Sequence, residues 1–268
     1  MTVAHPLADG NPPNWASEWG QDKHGIFACL TVGGVTQRMR WIVPGRFLMG
    51  SPDDELGRFE SEGPVHAVII SMGFWLFDTP CTQALWQVVM GDNPSGFRSP
   101  DRPVESVSWV DVQGFLAVIN ALVPDLRLSL PTEAQWEYAC RAGTQTALYT
   151  GPIDTKGDGN APALDPIAWY GGNSAGKSHP VGEKAPNGWG LYDMLGNVSE
   201  WCADGRRNYS LGGVTDPTVR TEEGTRRSLR GGAWHDLARD VRSANRYWGR
   251  ADGKSDAVGF RCARGQTD

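Results

Sequence analysis

The amino-acid sequence predicts one α+β domain in which the regular elements come first and turns dominate the second half. Three segments before residue 144 carry helix-capping signals, and several short apolar runs are typical of strands. The chain also contains 34 glycines among 268 residues, which indicates many turns. Tryptophan and apolar residues continue on both sides of every Gly/Pro cluster, so we expect a single domain over 21–268 after a Pro- and Asn-rich N-terminal arm at 1–20.

The strands are predicted first between residues 26 and 77. The runs IFACLTV and VTQRMRWIVPG flank Gly33 and Gly34, a pattern typical of a hairpin. GRFLMGS and HAVIISMGFWLF predict further strands. The segment DDELGRFESEG between these two is interpreted as a charged loop, with Asp53, Asp54 and Glu55 in solvent.

Three helices are predicted from their capping residues. TQALWQVVMG begins at Thr82 and ends at Gly91, and SWVDVQGFLAVINALV begins at Ser108. TEAQWEYACRAG begins at Thr132, has Gln135 in the capping-box position and is predicted to end at Gly143. The apolar face of the second helix is predicted to comprise Val112, Phe115, Val118, Ile119 and Leu122.

Composition restricts the classes of partner. Charged residues make up 21% of the chain and the net charge is −6, which argues against nucleic acid or a membrane surface as the main partner. The five cysteines are widely separated and odd in number, which excludes a complete disulfide framework and favours reduced, buried thiols. The N-terminus lacks the pattern of a signal peptide, and no apolar stretch approaches the length of a membrane span. A cytoplasmic monomer is therefore expected.

Six ordered motifs give the sequence a family resemblance that runs from about Arg40 to Arg264. They are PGRFLMGS, RPVESVSW, LPTEAQWEYACRAGT, PNGWGLYDMLGNVSEWCAD, LRGGAW and GFRCAR. In this order they resemble the formylglycine-generating enzyme (sulfatase-modifying factor) family. The resemblance implies a C-type-lectin-like fold that is rich in loops, with a small twisted antiparallel sheet, two to three helices and structural calcium.

The calcium ligands implied by the resemblance fall on the segment DMLGNVSE. They are Asp193, Gly196, Val198 and Glu200, two through side-chain oxygens and two through backbone carbonyls. Hard oxygen ligands of this kind suit Ca²⁺. The alternative is that Asp193 and Glu200 only cap turns through hydrogen bonds. A second site of the family would lie near Asn173 and Ser174.

The catalytic feature of the family does not carry over to this sequence. Members that oxidise a substrate cysteine to formylglycine place two copper-binding cysteines after the GG[ST][FWY] motif, and a soft thiolate pair suits Cu(I). Here the stretch from His235 to Asn245 contains no cysteine, so no copper and no catalytic residue are expected. An iron-dependent sulfoxide synthase is rejected as well, because the five histidines are not at ligand spacing.

The C-terminal segment resembles the variable proteins of diversity-generating retroelements. Their framework RGGSW, RSA.R and GFR appears here as RGGAW, RSANR and GFR, separated by HDLARD and YWGRADGKSDA. The two intervening runs are predicted to form one exposed recognition face for an unknown protein or small molecule, since aromatic and Arg side chains suit such surfaces. Its residues are His235, Asp236, Leu237, Arg239, Asp240, Asn245, Tyr247, Trp248, Arg250, Asp252, Lys254 and Asp256.

The framework residues are expected to differ from this face. Trp234 and Phe260 are predicted to be buried, and the framework arginines to make internal hydrogen bonds. Two other functions stay open at this point. One is an oxidase or sulfatase-modifying factor with an unrecognised mechanism. The other is a regulatory module for a neighbouring kinase, protease or caspase-like partner, as in non-catalytic bacterial members of the family.

Overall fold

The computed structural model describes residues 13–154, 159–219 and 226–265. In this part the chain forms three α-helices, α1 (Gln83–Met90), α2 (Trp109–Leu122) and α3 (Glu133–Arg141). The strands are β1 (Glu18–Asp22), β2 (Gly25–Val32), β3 (Val35–Ile42), β4 (Gly45–Met49), β5 (His66–Ile70), β6 (Phe74–Phe77), β7 (Ser199–Gly205), β8 (Val214–Thr215), β9 (Arg226–Arg230), β10 (Arg246–Arg250), β11 (Val258–Gly259) and β12 (Ala263–Gly265). The predicted α+β class is confirmed.

The strands form three sheets rather than one. A five-stranded sheet has the order β1-β2-β3-β6-β12, and all its pairs are antiparallel. A four-stranded sheet has the order β10-β9-β7-β11 and carries the C-terminal segment. A three-stranded sheet has the order β4-β5-β8. The predicted run HAVIISMGFWLF therefore contributes one strand to each of two sheets.

The predicted hairpin is formed by β2 and β3. Val32 pairs with Val35, and the two residues between them, Gly33 and Gly34, have φ angles of 54° and 84°. Both values lie in the left-handed region, which a two-residue hairpin turn requires and which glycine adopts without strain. The turn chemistry read from the sequence thus fixes the register of this pair.

All three helices begin where their capping residues predict. The Thr82 side chain accepts a hydrogen bond from the backbone N–H of Leu85, and capping boxes form at Ser108 and at Thr132. Helix α3 ends slightly before the predicted Gly143, because Ala142 already adopts a left-handed φ of 45°. After α3 the helical elements of the described residues are only short 3₁₀ turns, as expected from the loss of helical periodicity.

The predicted apolar face of α2 is partly wrong. Val118 and Leu122 are exposed, whereas Leu116 is buried together with Val112 and Ile119. At 100° per residue, Val118 lies about 110° from the centre of the buried stripe, so it falls on the solvent side. The periodicity predicted the helix correctly, but the buried face that it predicted is wider than the observed one.

Part of the segment predicted as an N-terminal arm belongs to the folded domain. Residues 1–12 lie outside the described part of the chain, but Trp15 is buried and β1 begins at Glu18. The indole of Trp15 packs edge-on against Trp75 of β6, with ring centroids 5.7 Å apart. This segment therefore belongs to the edge of the five-stranded sheet. Within the described ranges, no helix combines the length and apolarity needed to cross a membrane.

Two apolar clusters support the sheets. One surrounds Trp136 of α3 and extends to the three-stranded sheet. The other lies between α1, α2 and the five-stranded sheet, and at its centre the rings of Trp86, Phe115 and Phe260 contact one another. Phe260 is fully buried, as predicted. Packing of the C-terminal strands onto this cluster fixes the position of the segment that carries the candidate site.

Candidate functional site

The four-stranded sheet carries a cleft of about 690 Å³, here called the C-terminal cleft. Its walls come from β9 and β10, from the turn after β9 and from the loop between β10 and β11. Phe59 and Ser61, from the charged loop between β4 and β5, complete it. The cleft thus lies where the two runs of the predicted recognition face meet.

Eight of the twelve residues predicted for the recognition face line this cleft. They are His235, Asp236, Asp240, Asn245, Tyr247, Trp248, Arg250 and Lys254. The other four are exposed but do not line it: Leu237, Arg239, Asp252 and Asp256. The antiparallel pairing of β10 with β9 holds the second run beside the first. A binding role for these residues stays a prediction.

For two residues the predicted degree of burial is wrong. Asn245 is buried, and its side-chain amide donates to the backbone oxygen of Asp240 at 2.6 Å, so it acts as a brace within the loop. Trp234 is only partly buried rather than part of the core. Its indole packs edge-on against Phe97 and donates to the backbone oxygen of Asp256 at 3.1 Å. The chain leaves the sheet just before Trp234, which places this ring at the rim.

The exit from β9 requires the two glycines of the framework. Gly231 and Gly232 have φ angles of 96° and 71°. A Cβ on Gly232 would lie 2.9 Å from the backbone oxygen of Asp240, and one on Gly231 would lie 3.0 Å from the backbone oxygen of Met194. Only glycine fits both the conformation and the space. The Gly-Gly pair therefore builds one wall of the cleft.

Framework arginines join this wall to the charged loop and to α3. Arg246 donates two parallel hydrogen bonds to Glu133, with Nε–Oε1 at 2.7 Å and Nη2–Oε2 at 2.9 Å. Arg242 contacts Glu55 at 2.6 Å and also donates to Glu62. Both arginine side chains and their carboxylate partners are buried. The predicted internal hydrogen bonds of the framework are confirmed.

The interpretation of the acidic loop as fully solvated is corrected by these contacts. Asp53 is exposed, but the side chain of Glu55 is 7% exposed and lies on Arg242. Burial raises the pKa of Glu55, although the guanidinium of Arg242 opposes the shift. A buried guanidinium needs carboxylate partners, and the loop supplies two of them. This requirement draws the loop against the C-terminal segment.

Arg230 has a similar environment beneath the cleft. It donates to Glu137 and, at 2.8 Å, to the backbone oxygen of Ser243. Burial lowers the pKa of Arg230, but the neighbouring acidic groups together, of which Glu137 contributes most, outweigh burial and raise it. Burial likewise raises the pKa of Glu137, yet Arg141 and Arg230 hold it below its usual value. Arg230, Glu137 and Arg141 thus form a buried, ionised cluster, which is typical of a structural scaffold rather than of a ligand contact.

Tyr247 and Trp248 provide the aromatic surface of the cleft. Tyr247 is 66% exposed, whereas Trp248 is partly buried between the guanidinium groups of Arg206 and Arg246, which lie 4.8 and 5.1 Å from its ring centroid. The indole Nε1 of Trp248 is buried and has no acceptor among the described residues. Rigid aromatic side chains at a surface are typical of binding sites.

Two carboxylates line the same cleft. The backbone N–H of Ala233 donates to Asp236 at 2.8 Å, and the His235 imidazole lies 3.6 Å from its other oxygen. Burial raises the pKa of Asp236. Burial also raises the pKa of Asp240, and the charge of Asp236 adds to the shift. The two groups therefore repel each other within the cleft.

The predicted calcium ligands lie in the turn before β7 and at the start of this strand, and their carboxylates contact protein donors. Both oxygens of Glu200 accept hydrogen bonds from Arg261, and one also accepts from the indole of Trp136 at 2.7 Å. Asp193 accepts from the backbone N–H of Gly182 at 2.7 Å and from the Asn197 amide at 3.2 Å. Gly196 and Val198 lie between these two residues and are buried.

This donor set does not fit a calcium ion as it stands, because the guanidinium of Arg261 already balances the charge of Glu200. Within the described ranges there is no cluster of three or more His, Cys, Asp or Glu residues suited to a metal. Near the suggested second site, Asn173 and Ser174 use their side chains to brace the backbone of Ala168 and Trp234. Calcium binding stays a prediction.

The sequence comparison identifies the family. A profile described as "Sulfatase-modifying factor enzyme 1-like domain" matches residues 33–266. The chain belongs to this sulfatase-modifying factor family. The resemblance drawn from the six motifs is therefore confirmed.

Relatives within the sulfatase-modifying factor family include active and inactive proteins by name. The chain is 30% identical to the formylglycine-generating enzyme of Mus musculus over 74% of this chain and 53% of the enzyme. It is 32% identical to the inactive C-alpha-formylglycine-generating enzyme 2 of Bos taurus, over 73% of this chain and 60% of that protein. The chain thus spans about half the length of the mouse enzyme.

A solved structure of this fold belongs to Treponema denticola variable protein 1. It superposes with a TM-score of 0.75 at 28% identity and covers 89% of this chain and 98% of the variable protein. The sequence analysis found a resemblance to such variable proteins in the C-terminal segment alone, whereas the structural similarity covers most of the chain. It also confirms the C-type-lectin-like fold that the resemblance implied.

The five cysteines of this family member lie in the interior of the domain. All five are free and buried, and none lies between His235 and Asn245. Burial raises the pKa of Cys140 to about 12 and that of Cys262 well above its ordinary value, because the thiolate form is disfavoured in the core. These thiols have the character of structural side chains.

Sequence reasoning missed part of the cleft. Phe59 and Ser61 come from the charged loop, and Ser199 and Trp201 come from β7, far from the C-terminal runs in sequence. For the loop, one feature of the sequence could have indicated a contact with the cleft: Phe59 is an aromatic residue within a mostly charged segment. For the strand, the pairing of β7 with β9 could not be read from the local pattern.

Proposed function

We propose that this chain is a non-catalytic member of the sulfatase-modifying factor family that binds a protein or small-molecule ligand in the C-terminal cleft. The observation that carries the proposal is the cleft itself, because eight residues of the predicted recognition face line one volume of about 690 Å³. Pockets of this size, with aromatic walls and a few converging polar groups, suit ligand binding.

The rigidity of the scaffold supports the proposal. Buried ion pairs hold Arg242 and Arg246 in place, while Tyr247 and Arg250, which follow them in β10, face solvent. A fixed framework reduces the entropy lost on binding. Variation of the exposed residues would then change the ligand without changing the fold.

The sequence supports the absence of formylglycine chemistry. The stretch from His235 to Asn245 lacks the cysteine pair that the family's oxidases use. The inactive relative of Bos taurus carries a name consistent with loss of activity in this family. A peptide with a sulfatase motif, incubated with the protein with and without copper, is expected to keep its cysteine in a mass spectrum. Conversion above that of a protein-free blank would favour the oxidase alternative.

Binding is tested by selection from a random heptapeptide library displayed on phage. Peptides that bind the wild-type protein are expected to lose at least tenfold in affinity on Tyr247→Ala. The matched control is Trp19→Ala, which removes an exposed aromatic side chain from β1, outside the cleft. If no peptide is enriched, or if both substitutions weaken binding equally, the proposal is wrong.

A further inference from the structure

The charges that line the C-terminal cleft are not balanced evenly. Each basic residue of the lining already has a carboxylate partner: Arg246 lies on Glu133, Arg250 on Asp252 and Lys254 on Asp111. The lysine contact is 2.8 Å and the Arg250 contact is 2.9 Å. An anionic ligand would therefore have to compete with these carboxylates for the cations.

The acidic residues of the lining are much less well compensated. Among the described residues, Asp236 has as its charge partner the imidazole of His235, which is charged only when protonated. Asp240 has Arg239, with Nε 4.0 Å from Oδ1, which is long for an ion pair. The side chains of Asp236 and Asp240 are 29% and 27% exposed, so a ligand can reach both.

The position of Arg239 shows what this corner of the cleft accommodates. Its guanidinium lies over the ring of Phe59, 4.9 Å from the centroid, while its Nε faces Asp240. Arg239 does not line the cleft, but Phe59 and Asp240 both do. An aromatic face beside a carboxylate is a favourable environment for a guanidinium group. The chain's own arginine occupies one side of it.

We propose that the C-terminal cleft binds a basic side chain of a partner peptide, an arginine or a lysine, between Asp236 and Asp240 and against the aromatic side chains beside them. The inference rests on the proposed binding function and names the chemistry of its ligand. Arginine is expected to bind more tightly than lysine, because a planar guanidinium can stack on a ring and bond a carboxylate at the same time.

The electrostatics of the cleft agree with this ligand. Burial raises the pKa of both carboxyl groups, and the negative charge of Asp236 raises that of Asp240 further. A cation placed between them removes the repulsion and compensates for the lost hydration. An anionic ligand would add to the repulsion and would have to displace Asp111 or Asp252 from their partners.

The test uses the peptides selected on the wild-type protein. We expect each of them to contain a basic residue, and replacement of its arginine by citrulline, which keeps the shape but removes the charge, to weaken binding about tenfold or more. The isosteric double variant Asp236→Asn/Asp240→Asn is expected to bind the arginine and citrulline peptides equally. Asp101→Asn, an exposed carboxylate outside the lining, serves as the matched control. Thermal melts establish that each variant is folded.

The outcomes separate this inference from the function on which it rests. Selected peptides that lack basic residues but lose affinity on Tyr247→Ala would leave the binding function intact and overturn the inference. The same holds if citrulline peptides bind the wild-type protein as tightly as arginine peptides. Failure to select any peptide that depends on Tyr247 overturns both. Should the double variant fail to fold, the citrulline comparison on the wild-type protein still decides the question.

Discussion

The guanidinium of Arg246 and the carboxylate of Glu133 form a buried bidentate pair, 113 residues apart in sequence. Arg246 opens β10 at the wall of the C-terminal cleft, and Glu133 is the first residue of α3. The pair thus ties the candidate binding surface to the helix at the centre of one apolar cluster. Its geometry is the fork-to-fork arrangement that only arginine can make.

Substitution of Arg246 by methionine is expected to lower the free energy of unfolding by about 3–5 kcal/mol, because the buried carboxylate of Glu133 loses its bidentate partner and keeps only the longer contact with Arg230 at 3.6 Å. The double variant Arg246→Met/Glu133→Gln is expected to recover part of this loss. Urea denaturation measures both values.

The control for this experiment is Arg250→Ala, which removes an exposed ion pair with Asp252. Surface pairs contribute little, so its unfolding midpoint should stay close to that of the wild type. Equal losses for Arg246→Met and Arg250→Ala would contradict the assignment of Arg246 to the scaffold.

Truncation of aromatic residues separates core from surface. Phe260→Ala is expected to cost about 3–5 kcal/mol through the cavity that it leaves between α1 and α2. Tyr247→Ala is expected to change stability by less than about 1 kcal/mol, since the ring is mostly in solvent. Thermal melts compare the two variants. A Tyr247 variant that unfolds as readily as the Phe260 variant would place this ring in the core and remove it from the recognition face.

Local signals in the sequence predicted local structure well. Thr82, Ser108 and Thr132 cap their helices as expected, and Gly33-Gly34 forms the predicted turn. In each case the interacting groups lie within four residues of one another, so the pattern contains both partners. Composition and periodicity alone indicated only an α+β domain. The C-type-lectin-like fold was predicted from the resemblance of the ordered motifs.

The errors arose where the partner is distant in sequence. Glu55 was interpreted as solvated because its acidic neighbours are, but its partner Arg242 lies 187 residues away. Trp234 was assigned to the core from its framework position, although the outward path of the chain after Gly232 places it at the rim. The cleft depends on such long-range contacts, so its C-terminal half was predictable and the loop with Phe59 was not.

The calcium prediction can be tested through unfolding. Because Arg261 already balances Glu200, the geometry predicts melting temperatures in EDTA and in excess CaCl₂ that agree within about 1 °C, whereas a bound cation at a hundredfold excess over Kd would add about 2.7 kcal/mol. Arg261→Met is expected to be strongly destabilising in both buffers. A rise of several degrees with calcium in the wild type, reduced in Asp193→Ala, would establish the metal site that the family resemblance implies.

The pH dependence of stability is expected to contain a contribution from Asp78. This carboxyl is 8% exposed, follows β6 and accepts a hydrogen bond from Gln37 at 3.2 Å. Burial raises its pKa from 3.8 to about 6, although Arg40 opposes the shift. The folded protein therefore binds this proton more tightly than the unfolded chain does, so the contribution of Asp78 to stability falls as the pH rises from about 4 to about 6.

The isosteric substitution Asp78→Asn removes this penalty and keeps the acceptor for Gln37. At pH 8 the variant is expected to be more stable than the wild type by about 2–3 kcal/mol, the energy of a shift of this size, and the advantage should vanish below about pH 4. Urea denaturation at a series of pH values measures the difference. Asp252→Asn is the control: its pKa is lowered by Arg250 and it is fully exposed, so it should show no such gain at high pH. A gain for Asp78→Asn that is constant from pH 4 to pH 8 would show that packing rather than ionisation is responsible.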